Sequence, residues 1–162
     1  MRRIQGLLHG IVASAAVVSF AVATDPAGIV SNVIVAQGAV AGRIDERIQV
    51  GGAWKLTLET QGESEFFHQD FVVGPGGRTG WHSHPGILLI TVKEGSVDWY
   101  DKDCVKHTYT AGQSFTEGAQ PHNVLNSGTT NARLLAAYIT KKGDPRRIES
   151  AQPECSARLQ IP

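Results

Sequence analysis

Gly76-Gly77-Arg78-Thr79-Gly80-Trp81-His82-Ser83-His84-Pro85-Gly86 sets two imidazoles two positions apart between glycine-rich turns. In extended backbone, side chains at i and i+2 share a face, so His82 and His84 point the same way. A short apolar run, 87–93, follows directly and ends at Glu94-Gly95. Outward from this stretch the chain repeats one pattern. Apolar or alternating runs at 29–35, 54–59, 66–73, 96–100, 107–110, 122–126 and 133–140 are separated by Gly, Pro, Asp and Asn turn signals. Short strands at this spacing predict an all-β sandwich or barrel. No helical period is sustained after residue 23, and the segment after Lys141 reads as an irregular strap. An antiparallel double-sheet jelly roll solves the edge problem and leaves a mouth at one end where a ligand can sit.

Length and composition bound the rest. A chain of 162 residues holds one domain with a proper core. With 15 basic and 15 acidic residues there is no charge excess of the kind a nucleic-acid partner selects. Met1-Arg2-Arg3, the apolar stretch 7–22 and the small residues of Ala21-Val22-Ala23 form the three parts of a secretory signal peptide. Cleavage after Ala23 predicts a mature chain of 24–162, exported to the periplasm or beyond and without a stable membrane anchor. It also removes two arginines and no acid, for a mature net charge of −2. In an oxidising compartment, Cys104 and Cys155 are candidates for one disulfide tying the tail to a loop.

Five histidines lie beyond the leader. His122, in Pro121-His122-Asn123-Val124-Leu125-Asn126, is the third expected metal ligand. Two imidazoles from one strand and a third from a distant one meet the needs of a facial divalent-metal site. His68 and His107 read as surface or packing residues. Gln69, Tyr100, Tyr109 and Asn126 are weaker candidates for contact with a substrate. Trp81 is expected to pack outside the barrel, Arg78 to sit on an exposed loop, and Glu117, beside Gly118, to be solvated, with ligation of the metal as its alternative.

These segments resemble the two motifs of the cupin family, G(X)5HXH(X)3–4E(X)6G and G(X)5PXG(X)2H(X)3N. Gly76, His82, His84 and Gly95 match the first; Gly112, His122 and Asn126 match the second. The motif glutamate falls on Leu88, and the second motif carries one extra residue between Gly118 and His122. The resemblance implies a jelly-roll barrel with a metal ion, iron(II) first by analogy, with manganese, nickel or zinc as alternatives. It implies a small-molecule ligand and a homodimer formed by strand pairing through 29–35. With Leu88 at the glutamate position, a carboxylate-free site of three neutral imidazoles would leave a divalent ion its full charge and favour an anionic, oxygen-bearing substrate. The function expected is that of a metal-dependent enzyme, dioxygenase-like or isomerase-like. Its rivals are a non-catalytic small-ligand or metal-binding protein and a purely structural barrel.

Overall fold

The computed structural model describes residues 23–162. The expected leader therefore lies outside the described residues, save its last residue, Ala23. No helix among the described residues is long and apolar enough to cross a membrane. Twelve strands and one short helix follow in order. They are β1 (Ala27–Val40), β2 (Asp45–Val50), β3 (Trp54–Glu59), β4 (Ser64–Arg78), β5 (His82–Ser83), β6 (Ile87–Glu94) and β7 (Ser96–Tyr100). Then come β8 (Lys106–Thr110), β9 (Ser114–Glu117), β10 (Asn123–Leu125), β11 (Ala132–Lys141), β12 (Ile148–Glu149) and α1 (Glu154–Leu159). The main sheet runs β8-β7-β10-β4-β11-β6-β9, with β1 on the other flank of β4. Every pairing is antiparallel, and the sheet curls into the nearly closed barrel of a jelly roll.

Alternation decides which side chains fill the barrel. In β6, Leu88, Ile90 and Val92 point inward; in β11, Ala132, Leu134, Ala136 and Tyr138 do so. With Phe67, Val97, Phe115 and Val124 they form one continuous core. On β4, Gln69 and Val73 are buried while His68 is exposed, which settles the strand parity that the sequence leaves open. Gly86 permits a close approach: a Cβ there would lie 2.0 Å from the Ile139 carbonyl oxygen, so any side chain would push the start of β6 away from β11.

Two segments stand apart. The hairpin β2–β3 is exposed along nearly its whole length. Its pairs Ile48↔Leu56 and Val50↔Trp54 form one apolar face. The C-terminal segment is more regular than a strap. Its β12 pairs with β5, setting Glu149 opposite His82, and α1 covers Trp81. Trp81 is completely buried outside the main core, against Cys104 and Ile161, and its indole N–H donates to Ser156 Oγ at 3.0 Å. Cys104 and Cys155 are bonded to each other and pin α1 to the loop after β7. Cys104 takes a left-handed conformation, φ 61°. Asp101 holds that turn by accepting the N–H groups of Asp103 and Val105, each at 2.9 Å.

Candidate metal centre

Backbone pairing brings the three histidines together. His82 and His122 exchange reciprocal backbone hydrogen bonds of 3.0 and 2.8 Å, and His84 N–H donates to the Gly118 carbonyl at 2.9 Å. Ring centroids of His82 and His122 are 4.4 Å apart, those of His82 and His84 4.8 Å, and those of His84 and His122 5.1 Å. Gly80 helps to aim the first ring. Its positive φ of 72° and its close approach to Thr24 exclude a side chain, and its carbonyl holds His82 Nδ1 at 2.8 Å.

A fourth donor corrects the carboxylate-free expectation. Glu117, at the end of β9, is buried, and its Oε2 lies 3.3 Å from Nε2 of both His84 and His122. Leu88 does stand where the motif glutamate would be, but in the ladder it sits directly opposite Glu117. Directly opposed residues project to the same side of a sheet. The carboxylate is therefore supplied from the neighbouring strand, into the space the usual glutamate would reach. Its second oxygen, Oε1, accepts the Trp99 indole N–H at 3.1 Å, which fixes the plane of the carboxylate.

The hydrogen bonding of the rings fits a cation. His82 Nδ1 faces the Gly80 carbonyl at 2.8 Å, His84 Nδ1 the Arg146 carbonyl at 2.5 Å, and His122 Nδ1 the Gln120 carbonyl at 2.8 Å. A carbonyl only accepts, so each Nδ1 carries the proton and each Nε2 presents a lone pair. The buried Nε2 atoms of His84 and His122 have no hydrogen-bond partner. Lone pairs facing a carboxylate oxygen at 3.3 Å repel unless a cation lies among them. The donor atoms of His82, His84, Glu117 and His122 all fall within 4.8 Å of one another, and all four residues are buried. Carbonyl-anchored imidazoles of this kind are how proteins orient ligands to a metal.

Electrostatics agree. Burial, reinforced by the neighbouring His122, pushes the His82 imidazole down to about 3, so it stays neutral at physiological pH. Burial acts to raise the Glu117 carboxyl, while positive charge placed at His122, His84 and His82 acts to lower it below the ordinary carboxylate range, the part that a cation held among the neutral rings would take. Three neutral rings and one carboxylate reduce the net charge of a bound divalent ion to +1, not the +2 expected from Leu88 alone.

The centre opens into a cavity of about 290 Å³ with an apolar floor that includes Leu88, Ile90 and Leu134. Of the weaker candidates, only Gln69 lines it. Tyr100 packs against the Trp81 cluster, and Tyr109 stacks on Phe115 with centroids 4.5 Å apart. Asn126 is buried as a loop clamp, donating to the Val73 and Thr130 carbonyls at 2.8 Å each. His68 and His107 are exposed, as expected. Arg78 ends β4 and is partly buried, which corrects its placement on an exposed loop. Sequence reasoning passed over Asn32, Tyr138 and Arg146, all of which line the cavity. Tyr138 sits edge-on to His84 at 5.8 Å, and burial, with Glu117 nearby, raises its hydroxyl so that it stays protonated.

An antiparallel jelly roll with a buried His-His-Glu-His group at its mouth defines a class: barrels whose interior can hold a metal ion. Residues 69–138 match the family described as Cupin domain, so this part of the chain is a domain of the cupin type. Comparison with curated proteins gives no match. Among solved structures, the chain is similar to the polyketide cyclase RemF from Streptomyces resistomycificus, at 23% identity and a TM-score of 0.48, over 60% of this chain and 69% of that one. It is also similar to an uncharacterised double-stranded β-helix protein from Klebsiella pneumoniae, at 18% identity and a TM-score of 0.47, over 68% and 86%. A third is a predicted oxalate decarboxylase from Thermotoga maritima, at 21% identity and a TM-score of 0.42, over 60% and 93%. Likeness at this level carries nothing about activity.

Proposed function

We propose that this protein is an exported, metal-dependent cupin enzyme that acts on a small oxygen-bearing molecule inside the barrel. The observation that carries the reading is the convergence of three lone-pair nitrogens and one carboxylate, all from buried residues, at one end of a ligand-sized cavity. His82, His84, Glu117 and His122 would hold the ion, with iron(II) first in preference. A bound divalent ion would supply Lewis acidity and, as iron, access to dioxygen chemistry. The chain's own part is to exclude water with the apolar floor and to hold the substrate beside the donors. Among the residues lining the cavity Glu117 is the one carboxylate, which favours oxygenase-like over isomerase-like chemistry, since a proton-transfer step has few bases to draw on. The same scarcity supports a second reading, a non-catalytic binding protein.

Protein purified without chelator is expected to contain about one equivalent of metal, lost in His82→Ala. It should consume dioxygen with some member of a panel of diketones, flavonols, catechols and thiols. Failure to retain iron, manganese, nickel or zinc after reconstitution would overturn the metal reading. Tight ligand binding with no turnover would decide for the binding protein.

Export and self-association belong to the same proposal. The Cys104–Cys155 bond suits an oxidising compartment. One edge of β1 lacks a partner strand among the described residues, and the apolar face of β2–β3 is uncovered, so both favour pairing with a second copy. Protein recovered from the oxidising compartment should begin at Thr24 and sediment at twice the mass of one chain. A retained Met1 argues against export, and a one-chain mass against the dimer.

A further inference from the structure

The cavity has a second pole. Arg146, on the segment between β11 and β12, lines it from the side of Gln69. Its guanidinium lies over the Phe67 ring at 5.4 Å and the Tyr138 ring at 5.9 Å, and Nη1 donates to Gln69 Oε1 at 3.1 Å. Gln69 is itself fixed, because its Nε2 donates to Asn32 Oδ1. A guanidinium has five N–H donors. Among the described residues, Arg146 pairs with no carboxylate, whereas the adjacent Arg147 is neutralised by a two-point ion pair with Glu149. The fork of Arg146 is thus held half-buried by aromatic faces and a neutral amide, with its charge uncompensated and donors to spare. Stacking on aromatic rings is a usual way to keep a guanidinium ready for a carboxylate.

We infer that Arg146 anchors an anionic group, so that the ligand is a small carboxylate with an apolar body, its charged head on Arg146 and its other end toward the His-Glu cluster. Two contacts, His84 to Tyr138 at 5.8 Å and Tyr138 to Arg146 at 5.9 Å, separate the poles, a span that a compact acid covers. Glu117 removes the reason for expecting an anion at the metal itself, and Arg146 supplies a different one on another wall. The metal-site reading enters only in the direction of the far end.

The probes are benzoate and cyclohexanecarboxylate, with benzamide and cyclohexanecarboxamide as uncharged matches, titrated calorimetrically into the purified protein before and after chelator treatment. Each carboxylate should bind more tightly than its amide. Arg146→Gln should lower carboxylate affinity at least about tenfold, the loss expected for a charge-assisted hydrogen bond, while leaving amide affinity and metal content unchanged. Arg146→Lys should recover part of the loss, and Arg147→Gln should behave as the parent. Equal affinity for acid and amide, unchanged binding in Arg146→Gln, or no carboxylate binding at millimolar concentration would each overturn the inference. Carboxylate binding abolished by chelator but untouched by Arg146→Gln would place the anion on the metal, ending this inference while sparing the metal reading. Loss in Arg146→Gln with indifference to chelator supports the inference and leaves the metal reading to the metal analysis.

Discussion

Glu117→Gln is expected to lower metal affinity at least about a hundredfold, as measured by competition with a chelator of known strength. Changing an outer partner of a metal ligand already costs about 10–100-fold, and Glu117 is placed as a donor itself, with Oε2 3.3 Å from two imidazole nitrogens. The substitution keeps the volume and an oxygen that can accept from the Trp99 indole, so the loss reads the charge and not a collapsed site. A stricter form uses the register. Because Leu88 and Glu117 face each other across β6 and β9, the exchange Leu88→Glu with Glu117→Leu returns the carboxylate to the position of the family motif and conserves the pair's volume. Glu117→Leu alone should bind metal as poorly as Glu117→Gln, and the exchanged pair should regain most of the affinity. If Glu117→Gln binds metal as the parent does, the carboxylate is not a ligand.

The second large effect concerns the C-terminal segment. Replacing Cys104 and Cys155 by serine is expected to cost about 4 kcal/mol of unfolding free energy by the chain-entropy model for a loop of this size, given the 51-residue separation. The bond fastens α1 over Trp81 and lies beyond the turn that delivers Arg146 to the cavity and its carbonyl to His84. Urea unfolding of the oxidised parent and the double variant measures the difference. A change below about 1 kcal/mol, at the bottom of the usual range for disulfides, would show that packing around Trp81 holds the tail unaided. Metal affinity should fall less than in Glu117→Gln, since the three rings keep their strand positions through the pairing of His82 with His122.

What could be read from the residues, and what could not, follows the range of the forces involved. The apolar runs of β6 and β11 are local and visible as strands, but which residues turn inward (Leu88, Ile90, Leu134 and Ala136) is not, because both faces of these strands are largely apolar. The pairing of His82 with His84 is equally local. Glu117 is different. Beside Gly118 it has the look of a solvated turn residue, and its burial depends on which residue of β6 it meets, a register set by the whole sheet. Arg146 was lost for a related reason: in a proline- and arginine-rich tail nothing marks the residue whose side chain turns inward. β2 was missed because Asp45–Val50 carries three charges in six residues, and its pairing with β3 shows only in the ladder. Asn126 and Tyr109 failed the other way, because polar residues near a motif have structural uses that spacing alone does not separate from ligand contact.

The hydrogen bond from Trp99 to Glu117 makes the centre optically legible. The chain has three tryptophans. Trp54 stands in solvent on the hairpin, and Trp81 is sealed beneath the C-terminal helix. Trp99 alone holds the carboxylate, with its ring stacked 6.1 Å from that of His122. Indole emission thus divides into a surface signal, a signal of tail docking and a signal of the metal centre, so occupancy and unfolding can be followed separately without an added label.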